Sequence, residues 1–326
     1  MRRAFVVVNP MAGSARVDQI AGALREQLSE PWSYQLYVLV PGEDVGTVIA
    51  SAIGGGADTI IAAGGDGTVR TVAQHLVGSE IALAILPEGT ANVLAHDTGI
   101  PLRVEQALAL VTGAHDVLLL DAIRVAQTYC FLNVSTGLSA GIIRDADPLH
   151  KRRFGMLAYL WSDARNLLAV GVKDVTLSLD GVDRHLRATE VLVANCPSMG
   201  LPELRPPVPI DPADGRLQVI AFRARHLGDY ARIGAELLVH RPRSRPYVQV
   251  FDVLDQVRID CAEVLDVQGD GDLIGHTPVT ASMVPGAVRL IVPPGRGASR
   301  AGAVKGGATD TTSGGSHGTT YCPLAQ

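Results

Sequence analysis

The chain has 326 residues, 47% of them hydrophobic and 19% charged, with a formal net charge of −5. That balance excludes a disordered or fibrous protein, and the negative charge argues against a nucleic-acid partner. Length predicts two domains, each long enough to bury a core. The first 115 residues alternate strand and helix patterns. "AFVVVNP" reads as a buried strand, and "VDQIAGALREQL" puts Val17, Ile20, Ala21, Leu24 and Leu28 on one helical face. "YQLYVLV" is a strand, "DVGTVIASAI" a helix and "DTIIAAG" a third strand. "TVRTVAQHLV" gathers Val69, Val72, Ala73, Leu76 and Val77 on one side, "IALAILP" is a fourth strand, and "VEQALALVTG" is a helix stopped by Gly113. The alternation predicts a parallel sheet covered by helices. Ligands of such sheets sit at the carboxyl ends of the strands, which marks the loops after residues 8, 63 and 86.

After Asp116 the texture changes to short β-type runs, among them "DVLLLDAIRV", "ATEVLVANC", "RLQVIAF" and "AVRLIVP". Helical interruptions are expected at "GMLAYLWSDARNLL" and "GDYARIGAELLV". This half is predicted to be a sandwich or small barrel. The expected division is an α/β domain over 1–118, a β-sandwich-like domain over 119–294 whose last strand is free to return to the first, and a disordered tail over 295–326.

Several chemistries find no support. Cys130, Cys196, Cys261 and Cys322 form no CxxC pair, and the nine histidines form no HxxxH or HExxH. Of 28 basic residues only Lys151, Lys173 and Lys305 are lysines, and no GxxxxGK[ST] occurs, so a lysine-based phosphate clamp is not expected. The N-terminal apolar run stops at Asn9-Pro10, too short for a signal peptide, and no run approaches the ~20 apolar residues of a spanning helix. The expected compartment is the cytoplasm.

Loop one, "NPMAG", comprises Asn9, Pro10, Met11, Ala12 and Gly13, and taken alone is an ordinary strand-to-helix turn. Loop two, "GGDGT", holds Gly64, Gly65, Asp66, Gly67 and Thr68. Its glycines free backbone amides at a helix start, where phosphate is the natural guest, and Thr68 can cap the helix. Asp66 would repel phosphate unless Mg²⁺ intervenes or its task is to accept a proton or bond a hydroxyl; the plain alternative is a helix cap. Loop three, "LPEGTANVLA", repeats the logic with Gly89 for close approach and Thr90 and Asn92 as neutral hydrogen-bonding groups.

"GGDGT" followed by "PEGTAN" resembles the diacylglycerol kinase catalytic domain, most closely the bacterial lipid kinases related to sphingosine kinases. "VVNPMAG", "GMLAYL", "IDPADGRL" and "PGAVRLIVP" fit further blocks in order, so the resemblance covers residues 1 to about 294. It implies ATP and Mg²⁺, a lipid substrate at a membrane surface, peripheral membrane association, and leaves room for a homodimer. It implies nucleotide contacts at Asn9–Gly13, at Gly64–Arg70 (including Val69) and at Thr90. "IDPADGRL" resembles the family's magnesium loop, implying Asp214 as side-chain ligand with backbone oxygens from Asp211 and Arg216. Read from the residues alone, Asp211 and Asp214 bracket either an oxygen-rich turn or a plain Asp-Gly hairpin.

"DVQGDGDLIGHTPV" matches a hairpin where the family usually has Asp-Gly-Glu, the glutamate being general base; the resemblance implies Asp272 in that role, one methylene shorter, supported by Asp66. Two further departures are Thr71, where a glutamate is common, and Ser139, where an aspartate is common. Dense basic clusters occur at "HKRRF" and "HRPRSRP", readable as membrane contacts or as solvated faces. The expected activity is ATP-dependent phosphorylation of diacylglycerol or a related lipid. An NAD kinase-like enzyme and a non-catalytic nucleotide- or lipid-binding relative are the alternatives.

Overall fold

The computed structural model describes residues 2–10, 14–145, 171–199, 205–206, 208–224, 228–229, 232–233 and 247–297. Met11, Ala12 and Gly13 lie outside the described residues, as do "HKRRF", "HRPRSRP", "GMLAYLWSDARNLL", most of "GDYARIGAELLV" and the tail from residue 298.

The apolar runs of the first half become parallel strands β1 (Arg2–Val8), β2 (Trp32–Val38), β3 (Thr59–Gly64) and β4 (Ala82–Pro87), in the order β2-β1-β3-β4. Between them run α1 (Ser14–Gln27), α2 (Val45–Gly54) and α3 (Asp66–Gln74), followed by α4 (Val93–Thr98) and α5 (Val104–Thr112). Helix spacing turns Ile20, Leu24, Val69, Val72, Ala73 and Leu76 into one core with the strands, with Ala23 buried in place of the expected Ala21. Val8 pairs with Ala63, and Ala63 with Leu86, so three strand ends finish level and their loops stand side by side.

The second half starts with β5 (Asp116–Val125), β6 (Thr128–Cys130), β7 (Asn133–Gly137) and α6 (Leu138–Asp145). Strands β8 (Lys173–Leu179), β9 (Val182–Ala188), β10 (Glu190–Ala194), β11 (Leu217–Phe222), β12 (Val248–Val253), β13 (Gln256–Cys261), β14 (Asp266–Gly269), β15 (Asp272–His276) and β16 (Val279–Val292) follow. Helix α6 was not legible in "LSAGIIRD", a short run diluted by glycine and serine. One antiparallel sheet has the order β12-β11-β10-β7-β14-β15. It packs on the distal part of the first sheet through Ile123, Val134, Val193, Val219, Ile259 and Val267, forming a β-sandwich. The fold is thus an α/β N-terminal domain plus a C-terminal β-sandwich.

Strand β16 belongs to both. Its C-terminal part pairs in parallel with β4 at Arg289 and Leu290, and its start pairs antiparallel with β13. Strand β5 runs beside it, with a bulge between Val284 and Val288. Asp121, fully buried, accepts the Gly286 N–H there at 2.7 Å and the Gly215 N–H at 2.6 Å. Among the described residues no helix is long and apolar enough to cross a membrane.

Removing the Asp121 carboxylate leaves two half-buried amides without their partner. Asp121→Ala is expected to cost on the order of 2–4 kcal/mol of stability, read from the midpoint of urea unfolding.

Candidate active site

The three strand-end loops are tied to one another by side chains. Asn9 Nδ2 donates to Thr68 Oγ1 at 2.8 Å, joining loop one to α3. Thr68 therefore does not cap α3; the N-cap is Gly65, without a side-chain bond. Arg16 of α1 donates to the Glu88 carbonyl at 3.0 Å and pairs with its carboxylate at 2.6 Å, tying α1 to loop three.

The glycines divide into two kinds. A Cβ on Gly89 would stand 2.5 Å from Gly65 Cα, and one on Gly64 would stand 2.6 Å from Thr68 Cβ and Oγ1. Gly65 and Gly89 let loops two and three pack backbone against backbone, and Gly64 makes room for the Thr68 side chain. A Cβ on Gly67 would meet nothing within 4 Å. Gly67 is also exposed in the first turn of α3, where amides lack intrahelical partners. Loop two is thus open at Gly67.

Asp66 faces α4. Asn92, the N-cap of α4, has its side chain folded back on Gly89 through two 2.8 Å bonds. The α4 amides take Asp66 instead, with Leu94 N–H donating to its Oδ1 at 3.3 Å. Burial pushes the Asp66 carboxyl above its ordinary range, against the pull of the amides of Leu94, Val93 and Asn92. Asp66 does cap a helix, but the next one along the chain rather than its own. Val69 is buried under α3, and Thr90 is exposed beside the opening at loop three.

From the middle of α3, Arg70 reaches the distant β14–β15 hairpin. The guanidinium pairs with the Asp272 carboxylate and donates to the Gly269 carbonyl at 3.3 Å. Arg70 is 18% exposed and Asp272 49%, so the carboxylate keeps a face toward solvent. The β14–β15 hairpin that carries Asp272 turns on Asp270 and Gly271, at φ 49° and 88°. Asp270 accepts three successive amides, of Phe131, Leu132 and Asn133, at 2.7, 2.9 and 3.0 Å. Burial pushes its carboxyl up to about 6. The Asp180-Gly181 turn between β8 and β9 uses the same device on the amides of Leu254, Asp255 and Gln256, at 2.8 to 3.0 Å.

These loops and hairpin fall within two family models. Residues 3–123 match the diacylglycerol kinase catalytic domain, and residues 132–292 match the YegS C-terminal NAD kinase beta sandwich-like domain. A "Probable lipid kinase YegS-like" of Pseudomonas aeruginosa (strain UCBPP-PA14) is 30% identical over 304 residues, covering 89% of this chain and 94% of that one. This chain belongs to the YegS-like, diacylglycerol-kinase-like lipid kinase family. A relative with the same description in Stenotrophomonas maltophilia (strain K279a) is 26% identical over 86% of this chain and 94% of its own length. A crystal structure described as a diacylglycerol kinase from Bacillus anthracis str. Sterne aligns with a TM-score of 0.69 at 19% identity, over 90% of this chain and 97% of that one. That last likeness concerns the fold.

Within this lipid kinase family the departures acquire places. Thr71 donates its hydroxyl to the Gly67 carbonyl at 2.8 Å, so it serves its own helix. Ser139 opens α6 with its N–H and hydroxyl on the carboxylate of Glu190, the N–H at 3.0 Å. A carboxylate is therefore present beside position 139, brought from β10. Glu190 was missed in the sequence, where its one signal is a lone acid at the head of the apolar run "EVLVA". Burial pushes its carboxyl up to about 7.

The loop expected to bind magnesium is closed on itself. Asp211 Oδ1 accepts the Ala213 N–H at 3.0 Å, and Asp214 Oδ1 accepts the Arg216 N–H at 2.9 Å. Asp121 pins the same loop through Gly215. Among the described residues no group of three or more His, Cys, Asp or Glu is placed to hold a metal ion. One oxygen of each carboxylate is thus engaged in the Asp-Gly turn.

Two outcomes follow for folding. Gly89→Ala should destabilise by roughly 1–3 kcal/mol or more, whereas Gly67→Ala should be neutral or stabilising by up to about 1 kcal/mol; thermal melts of both variants check this. The Glu190 carboxyl is raised in the folded state, so the fold binds the extra proton. Its contribution is full below the unfolded value and is lost as pH rises through about 7. Glu190→Gln should lack that slope in urea unfolding measured across pH.

Proposed function

We propose that this chain is a lipid kinase that transfers the γ-phosphoryl group of MgATP to a hydroxyl of diacylglycerol or a related lipid. The observation that carries this reading is the Arg70–Asp272 pair. It brings a partly exposed carboxylate of the sandwich to the helix whose N-terminus opens at Gly67.

In this reading the nucleotide's phosphates rest at the start of α3, where unpaired amides and the helix dipole favour anions. Asn9, Pro10, Gly64–Arg70, Gly89, Thr90 and Asn92 form or support the wall. Magnesium enters as part of the MgATP substrate, a usual way for an ion that keeps its waters and binds phosphates. Asp272 takes the proton of the lipid hydroxyl as its oxygen attacks the γ-phosphorus. The bond from that phosphorus to the bridging oxygen breaks, and ADP leaves. Arg70 supplies positive charge next to the transferring group. Such a reaction asks mainly for positioning and charge stabilisation. The contacts of Asp66 support a positioning role at α4 rather than proton transfer. The substrate places the work at a membrane surface on the cytoplasmic side.

The same ion pair also favours a second reading, a nucleotide- or lipid-binding protein without turnover, because Arg70 engages the only base the reading supplies. Radiolabelled ATP offered with a total lipid extract, and in parallel with NAD, separates the cases. A labelled lipid supports the proposal. Label in NAD alone, or nucleotide binding by calorimetry with no labelled product, overturns it.

Asp272→Asn should leave nucleotide affinity within about twofold and lower turnover by roughly 10²–10⁴. Undiminished turnover in that variant removes Asp272 from the chemistry.

A further inference from the structure

Glu190 heads β10 and pairs in register with Gly137 of β7, while Ser135 of β7 pairs with Gln268 of β14. The site is built around the carboxylate. Gly137 has φ 116°, and a Cβ there would stand 2.3 Å from the Thr189 carbonyl oxygen and 3.0 Å from Glu190 Oε2. The Ser139 hydroxyl donates to Glu190, and the Ser135 and Ser139 hydroxyls are bonded to each other. Gln268 Nε2 donates to Ser135 Oγ at 2.8 Å and to Asn133 Oδ1 at 2.9 Å. Gln268 Oε1 accepts the N–H of Gly271, the neighbour of Asp272, at 2.9 Å. Ser135 and Gln268 are buried, while Ser139, Glu190 and Gly271 at the two ends of the chain are half-buried.

Donor accounting gives the chain one direction. An ionised carboxylate only accepts, so Ser139 must donate to it. Ser139 then has only lone pairs for Ser135, which must donate in turn and accept from Gln268. Gln268 thereby presents Nε2 to Ser135, the amide orientation in which its oxygen also accepts the Gly271 N–H, at the irregular step between Val267 and Gln268 in the hairpin. A protonated carboxyl can donate, and the order is then no longer imposed.

We infer that Glu190 is a positioning residue for Asp272, acting through Ser139, Ser135, Gln268 and the Gly271 amide to set the β14–β15 turn. This rests on the role proposed above for Asp272. Among the described residues the groups packed around Glu190 are Ser135 and Gly137 on β7, Leu138 and Ser139 on α6, and Phe222 on β11, all uncharged. Arg144 of α6 is paired with Asp266 instead. At the other end, Asp270 and Asp272 flank Gly271.

The test is the Gly271 amide resonance in ¹H–¹⁵N spectra of the full chain, followed through the neutral pH range. The wild type should show a step with the midpoint of Glu190, about 7. Ser135→Ala and Glu190→Gln should both erase that step while keeping any step from Asp270. Ser139→Ala breaks the same chain and replaces Ser135→Ala if that variant does not fold. In turnover, Ser135→Ala should lower kcat roughly tenfold or more with the KM for ATP unchanged. Adding Glu190→Gln should lower it no further, as expected for members of one chain. A Gly271 step that survives Ser135→Ala, or additive losses in kcat, overturns the inference. If no lipid is phosphorylated, the proposed function fails, yet the Gly271 titration still decides whether Glu190 commands the turn.

Discussion

Everything at the candidate site depends on the pairing of β5 with β16. Strand β16 lies against β4 at one end and β13 at the other, so a single extended segment belongs to the α/β sheet and to the sandwich. A sheet shared in this way cannot hinge at the junction without losing ladder bonds. The bulge at Val284–Val288 is where the ladder is locally broken, and the buried Asp121 carboxylate holds it with two glycine amides. The separation between α3 and the β14–β15 hairpin is inherited from this ribbon. Arg70 then spans it with a charge-assisted contact.

Inside that frame loops two and three are packed tightly for steric reasons. Loops two and three touch through glycine backbones, with no side chain between them. Asn92 and Asp66 exchange roles that sequence order would not assign: the N-cap residue braces its own loop, and the acid from the previous loop satisfies the α4 amides. Packing of this kind is what a phosphate cradle needs, since amides that are already aimed require no reorganisation when charge arrives.

Much of the fold was legible because burial is periodic. The spacing of Ile20, Leu24 and Leu28, or of Val69, Val72 and Leu76, reports a helix face wherever the helix packs. Level strand ends then place the loops after Val8, Ala63 and Leu86 together by topology alone. What escaped are contacts that periodicity does not encode. Arg70 meets Asp272 across 202 positions, and Ser139 meets Glu190 across 51. The substitution at Ser139 looked like a lost acid because the acid had entered from another strand. "GGDGT" was read as one kind of glycine, whereas packing constrains Gly64 and Gly65 and leaves Gly67 open.

The two Asp-Gly hairpins carry one more lesson. Asp180 and Asp270 each sit at positive φ and gather three consecutive amides, yet only one of these turns lies beside the site. The device is therefore an anchor that this architecture uses twice to hold a hairpin to a crossing segment. At 270–272 the anchoring acid and the acid paired with Arg70 are two residues apart, with their duties divided. The first holds the turn through three backbone amides, so the side chain at 272 can change without loosening the anchor, which makes the hairpin a socket with an exchangeable position.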